Sequence, residues 1–298
     1  MISLVEYRKD VKFSKIAHNY GKYWYKFRNN KLSLLGLGLI ILFIALAALA
    51  PWISPYPSSA GLYVNFANSL KPPSLAHPFG TDELGRDVLT RVIFGFRYSF
   101  TLVGVVLGIT VIPGVTLGLV AGYYVKRWFS VLIMRMADIF VAVPPLLLAL
   151  AVASVMRPTL LHVMLAISLA WWPWYTRLVY SQTTTIRNED FVRAARLMGA
   201  SPIHIMFSEI LPNELGSILT KISLDAGWVI LIGAALSFVG LGAPPPTPDL
   251  GTMISEGSIY LPNVWWISVF PAIAVVLVIL AFNLLGDGIR DMFSSSIR

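Results

Sequence analysis

Cysteine is absent from the 298 residues, which excludes a disulfide framework and thiol chemistry and says little about compartment. Charge is scarce: Asp, Glu, Lys and Arg make up 13% of the chain, against about 25% in an average soluble protein. The nucleotide-cradling signature G-x-x-x-x-G-K-[ST] is missing; Gly21-Lys22 is followed by Tyr23, with no glycine-rich run before it. There is no H-E-x-x-H and no G-x-S-x-G, and the four histidines (His18, His77, His162, His204) are too scattered for a metal cage. An acidic ring and a glycine-rich filter loop, the marks of a selective channel, are missing too.

What the chain has in abundance is apolar sequence. Hydrophobic residues make up 56% and the mean hydropathy is +0.72, which points to lipid rather than to a large soluble core. A membrane-crossing helix needs about 20 mostly apolar residues. Six runs qualify: Leu32–Ala50, Tyr98–Tyr124, Leu132–Val155, Leu160–Tyr180, Ile222–Leu241 and Val264–Leu285. The first ends in small residues at A-x-A spacing, but its apolar core exceeds the about 7–15 residues of a signal peptide, so a retained helix is expected. Pro113-Gly114, Pro144-Pro145 and Pro173 are expected to interrupt the second, third and fourth runs, as bending points or static kinks. Ala170–Tyr175 (AWWPWY) reads as an aromatic belt near an inner membrane face.

Ionisable groups inside these runs are few. Arg135 and Asp138 lie near the inner end of the third and, one turn apart, are expected to pair locally. Asp225 lies near the inner end of the fifth. No carboxylate is placed at mid-membrane, where ion- or proton-coupled carriers keep their relays, so that class of transporter is disfavoured.

The net charge of +8 does not imply nucleic acid, because the basic residues are not gathered into one patch with interleaved aromatics. They flank the apolar runs. The first 31 residues hold Arg8, Lys9, Lys12, Lys15, Lys22, Lys26, Arg28 and Lys31. With a cytoplasmic amino terminus, eighteen Lys and Arg fall inside and five (Lys71, Arg86, Arg91, Arg97, Arg157) outside, so both termini are expected in the cytoplasm. The chain then divides into a cytoplasmic segment 1–31, a first span with its outer loop 32–96, a core 97–285 with a cytoplasmic loop 188–212, and a cytoplasmic tail 286–298.

Outside, "TDELGRD" (Thr81–Asp87) has the wrong spacing for an EF-hand. It reads as a helix start, with Thr81 as cap, Asp82 and Glu83 in the first turn, and Asp82–Arg86 and Asp87–Arg91 as pairs. The loop "GAPPPTPDLGTMISEG" cannot be a regular helix until after Pro248.

Inside, "RAARLMGASPIHIMFSEILP" (Arg193–Pro212) separates the fourth and fifth runs. Asn188 is expected to cap a helix with Glu189 and Asp190 in its first turn, and Glu189 to pair with Arg193. Ala194 and Ala195 offer a close-packing surface, and Gly199 ends the helix in a left-handed turn. Ser201 caps a second helix with Pro202 at its first position; it carries Ile203, Ile205, Met206, Phe207, Ile210 and Leu211 and ends at Pro212. Two short helices joined at a glycine suit another protein's groove; an amphipathic loop packed on its own bundle is the alternative.

The pattern A-A-x-x-x-G followed by I-L-P resembles the EAA loop of ABC importer permeases. Arg193 stands where the motif often has Glu, and Glu209 precedes Ile210-Leu211-Pro212, so two positions depart from it. His77–Ser99, Ser237–Glu256 and Leu280–Phe293 closely resemble segments of the dipeptide/oligopeptide/nickel permeases, C-type subunit, in the correct order. The resemblance covers about residues 30–295.

It implies an all-α, six-span bundle of the type I ABC importer (MetI-like) permease fold, acting as one half of a pathway. The implied partners are a homologous B-type permease, two ATPase subunits that bind the EAA loops, and an external substrate-binding protein. Arg193, Ala194, Ala195, Gly199, Ala200, Ser201, Pro202, Ile203, Ile210, Leu211 and Pro212 would form the coupling site. Asp82, Glu83, Arg86 and Asp87, on the outer side, are candidates for contact with the binding protein. The chain itself is expected to bind no cofactor; ATP and Mg²⁺ belong to the ATPases. Driving a two-state transporter from 1:99 to 99:1 takes roughly 5.5 kcal/mol of differential binding, which docked ATPases can supply and a small solute seldom can. The expected solute is a di- or oligopeptide, with oligosaccharides and nickel as alternatives.

Overall fold

The computed structural model describes residues 25–293. Among these the chain is helical, with no strand and one isolated bridge between Thr81 and Asp87. The helices are α1 (Lys31–Ile53), α2 (Val88–Tyr123), α3 (Trp128–Val141), α4 (Pro145–Ser154), α5 (Leu160–Ile186), α6 (Asp190–Leu197), α7 (Pro202–Phe238), α8 (Leu250–Ser258) and α9 (Trp266–Phe293). The basic residues Arg8 to Lys22 of the amino-terminal segment and Arg298 lie outside the described residues. Of the tail expected from residue 286, positions 286–293 continue α9.

Four helices, α1, α2, α7 and α9, are long and apolar enough to cross a membrane, and α3 with α4 forms a fifth if the bent pair is one span. The fourth expected run falls on α5, whose 27 residues suffice in length but whose second half carries Arg177 and a Ser/Gln/Thr-rich end.

The proline expectations divide. Pro113 lies inside an uninterrupted α2 and Pro173 inside an uninterrupted α5. These two helices pack along a glycine ridge. A Cβ on Gly114 would come within 2.7 Å of Tyr175 Cβ, one on Gly118 within 2.5 Å of the Thr176 carbonyl, and one on Gly122 within 2.7 Å of Thr183 Cβ. Such close backbone approach supports a continuous helix although proline has removed a hydrogen bond. At Pro144-Pro145, by contrast, each proline drives the residue before it out of the helical region. Pro144 accordingly sits at φ −54°, ψ 130°, and α3 meets α4 at 86°. The third run is thus two helices bent at the proline pair. The expected belt Ala170–Tyr175 lies mid-helix instead, with Trp171 and Tyr175 buried in the core.

The opposite ends of the bundle differ. One end, called here the coupling end, carries α6 and the start of α7; the other, the cap end, carries residues 54–87 and α8. As the prolines require, α8 begins just past Pro248. Asp249 caps it, accepting from Gly251 N at 2.8 Å and from Ser237 Oγ at 2.9 Å, which ties it to α7.

Candidate coupling site

At the coupling end, α6 begins at Asp190 behind Glu189 rather than Asn188. Asn188 is engaged elsewhere: its side-chain amide donates to Thr184 O at 3.0 Å, closing the end of α5. Arg193 faces Asp190 at 3.7 Å instead of Glu189, both side chains well exposed. Asp190 in the first turn and Arg196 in the last complement the helix dipole.

The helix ends as the glycine requires. Gly199 has φ +83°, its N–H bonds to Arg196 O at 3.1 Å, and the Ala200 N–H bonds to Ala195 O at 3.1 Å. This double bond pattern is the Schellman cap. Ser201 then caps the next helix, accepting from His204 N at 3.3 Å, with Pro202 in its first position.

Pro212 does not end that helix. Residues Ile205–Ile210 form a π-helical segment, and the Leu211 N–H reaches back five residues to Met206 O. The wider turn leaves room for a proline ring and a missing donor, so the chain runs on through Pro212 to Phe238 as a single helix of 37 residues. The expected second short helix is therefore the root of α7.

The two elements split into an inner and an outer face. Val192, Ala195, Ile205, Met206 and Ile210 are buried with Leu119, Val179 and Ile218 of the bundle. Ala195 thus packs on its own chain and is no free docking surface, whereas Ala194 is exposed. Leu211 is half-buried; Arg193, Gly199, Ser201, Pro202 and Pro212 are exposed and Ala200 is intermediate. The outer apolar residues are Leu197, Met198 and Ile203, exposed by 89%, 83% and 67%, joined by Phe207. Leu197, Met198 and Phe207 complete a contact surface that the motif positions alone do not mark. The knob is held rigidly. Arg187 donates to Tyr123 O at 2.7 Å, Arg196 lies 5.7 Å from the Tyr123 ring, and Thr183 Oγ1 donates to buried Glu214 at 2.7 Å. A rigid root bearing solvent-exposed apolar side chains can transmit force but offers no reacting group.

At the cap end, Thr81–Asp87 is not the expected helix start. Gly85 at φ +75° breaks it, and Asp82 Oδ1 draws in the backbone N–H groups of Leu84 and Arg86 at 3.0 and 2.8 Å. Asp87, not Thr81, caps α2, accepting from Thr90 N at 2.8 Å. The helix therefore starts at Val88, ten residues before the expected run. The Asp82–Arg86 pair forms at 2.6 Å, but Arg91 turns to Asp82 (3.5 Å) and Glu256 (4.0 Å) rather than to Asp87, which contacts His77 at 2.9 Å. Asp82, Arg86 and Asp87 are buried and Glu83 is partly exposed. These side chains fasten the outer loop to α2 and α8.

Together, several helices long and apolar enough to cross a membrane, a closed cap end and an exposed knob at the opposite end fit a membrane-embedded transport subunit. Residues 114–298 match the family described as the binding-protein-dependent transport system inner membrane component. Residues 21–73 match the N-terminal membrane domain of oligopeptide transport permease C. The chain belongs to this permease family of ABC importers and is a non-catalytic, membrane-spanning permease subunit. Among its relatives is the dipeptide transport system permease protein DppC of Alkalihalophilus pseudofirmus, 40% identical, covering 91% of this chain and 88% of the relative. The di/tripeptide permease protein DppC of Pseudomonas aeruginosa is 39% identical over 93% and 92% of the two chains. The glutathione transport system permease protein GsiD of Escherichia coli is 38% identical over 97% and 94%.

Proposed function

We propose that the chain forms the C-type half of the translocation pathway of a peptide importer in the cytoplasmic membrane, with both termini in the cytoplasm. A homologous B-type permease supplies the other half, two ATPase subunits receive the knobs of the two permeases, and an external binding protein delivers solute to the cap end. The observation that carries the coupling role is the Schellman-capped Gly199 turn with Leu197, Met198, Ile203 and Phe207 presented outward from a buried root. An apolar surface of this kind, on a rigid protrusion, is suited to a groove in another protein. In this reading Arg193, Ala194, Gly199, Ala200, Ser201, Pro202 and Ile203 touch the ATPase, Ala195, Ile210 and Leu211 support them from within, and exposed Pro212 lies at the edge of the contact.

At the cap end, Asp82, Glu83, Arg86 and Asp87 serve the binding protein by holding the shape of the loop it docks on, with Glu83 the member available for direct contact. ATP and Mg²⁺ stay in the ATPases. Peptides are favoured as the solute because the dipeptide, di/tripeptide and glutathione permeases among the relatives all carry peptide names. The test is reconstitution of the chain with its neighbouring permease, ATPase and binding-protein partners in proteoliposomes. ATP-dependent uptake of labelled di- or tripeptides is expected; uptake driven by a proton gradient through this chain alone would overturn the reading.

A further inference from the structure

Asp138 was expected to pair with Arg135 on its own helix. Its carboxylate instead accepts from Arg177 Nη1 across the α3–α5 contact. Both side chains stay open in this subunit, 48% exposed for Arg177 and 41% for Asp138. At 1.5 Å per residue, Arg177 lies roughly 13 Å in from the coupling end of α5 and Asp138 roughly 15 Å from that end of α3. Both fall within apolar runs of the length a membrane crossing needs, Leu160–Tyr180 and Leu132–Val155, toward their coupling ends.

A second ion pair lies across the same helix. Lys221 Nζ of α7 is 3.2 and 3.1 Å from the carboxylate oxygens of Asp225, and it stands 6.0 Å from the ring of Trp174. Trp174 is half-exposed one turn before Arg177 on α5. Asp225 is roughly 20 Å from the cap end of α7, toward the coupling end of its apolar run. Thus α5 carries an exposed strip with an ion pair on each flank: the open Asp138–Arg177 pair, and a more enclosed pair on α7 in which Lys221 is 23% exposed and Asp225 is buried.

Charged groups within membrane-crossing runs turn to protein or to water-filled space rather than to lipid tails. Burial in a permanent subunit interface would desolvate the open Asp138–Arg177 pair for little return. We propose that Asp138–Arg177 and Lys221–Asp225, set about Trp174, form a charged station in the translocation pathway that receives the charged termini of a passing peptide; this rests on the peptide reading above. A free peptide carries an ammonium at one end and a carboxylate at the other. A paired acid and base can each swing from its partner to the matching terminus without stranding a charge.

The complete transporter in proteoliposomes provides the test. The chain has no native cysteine, so Arg177→Cys, and Ser181→Cys one turn further on the exposed strip, report water access in isolation. Both are expected to react with small charged methanethiosulfonate reagents, more slowly when peptide and the binding protein are present. Failure of both to react in every nucleotide state would place the strip against lipid or a dry interface and overturn the proposal.

The second arm compares tripeptides of net charge −1 and +1. Arg177→Gln is expected to lower the uptake of acidic relative to basic tripeptide by about tenfold, and Asp138→Asn to shift the ratio the other way. The double exchange Asp138→Arg with Arg177→Asp keeps one acid and one base and should return the ratio toward that of the wild type. If the wild type transports peptides and both single variants keep its charge ratio, the station is wrong and the peptide reading stands. If the wild-type complex takes up no peptide, the peptide reading fails, and the station with it.

Discussion

The indole N–H of Trp266, at the start of α9, donates to the backbone carbonyl of Thr81 at 3.2 Å, joining positions 185 residues apart. The same ring lies over Gly80, where an added Cβ would come within 2.6 Å of it and where φ is +73°. The loop is therefore pinned to α9 by a contact that leaves no room for a side chain at position 80. Trp266→Phe, which keeps most of the volume and loses the donor, should cost about 1 kcal/mol. Gly80→Ala should cost more, because it meets both a clash and a left-handed backbone. Gly38→Ala, with nothing within 4 Å of its Cβ, should be neutral. Thermal denaturation of the purified complex in detergent checks the order Gly38→Ala, Trp266→Phe, Gly80→Ala.

A second prediction concerns the ridge Gly114, Gly118 and Gly122 on α2. Gly118→Ala places its Cβ 2.5 Å from the Thr176 carbonyl, a backbone atom that cannot swing aside. A loss of about 1–3 kcal/mol is expected, as for overpacked cores. Gly104 and Gly108 lie on the same helix with open space around them, and alanine there should leave membrane abundance unchanged. Because alanine is by itself the better helix former, equal effects at all three positions would mean that close approach at Gly118 does not govern α2.

Orientation is checked by labelling single cysteines in the otherwise cysteine-free chain. Ser58 at the cap end and Ser201 in the knob are both exposed. A cysteine at 58 should react with an impermeant maleimide in intact cells, and one at 201 only after permeabilisation. The reverse pattern would invert the topology inferred from Lys and Arg.

Local rules served the sequence reading well wherever one residue decides its own backbone. Gly199 and its φ +83°, the Ser201 cap with Pro202 behind it, and the start of α8 past Pro248 were all legible because proline and glycine act on their immediate neighbours. The Gly114–Gly118–Gly122 spacing was equally readable and is the signal that would have shown α2 and α5 packing closely. What could not be read was partner choice across helices. Asp138 has Arg135 one turn away but bonds Arg177, and Arg91 has Asp87 one turn away but turns to Asp82 and Glu256. Sequence spacing ranks only partners on one helix, while the bundle brings others closer. The π-helical segment before Pro212 was hidden for a related reason: a breaker signals the loss of one hydrogen bond, and a widened turn removes the need for it.

The last prediction returns to the knob. A substitution at Gly199 meets no atom within 4 Å, so its effect is that of the backbone alone. Gly199→Val should cost on the order of 1–2 kcal/mol locally, because a left-handed conformation is disfavoured for a β-branched residue. It should therefore distort the turn between α6 and α7 without disturbing the spans. Ala195→Trp is a poor probe of docking, because Ala195 is packed into the bundle and the change would damage the root. Leu197→Ser with Met198→Ser removes two exposed apolar side chains and leaves the buried face intact. Both Gly199→Val and the double serine variant should reach the membrane at wild-type abundance, yield less ATPase on co-purification, and lose the stimulation of ATP hydrolysis by solute-loaded binding protein. Losing about 100–150 Å² of apolar contact at about 25 cal/mol/Å² corresponds to roughly 2.5–4 kcal/mol, enough to abolish a moderate interaction. Normal transport by both variants at normal abundance would reduce the knob to a surface connection between α5 and α7.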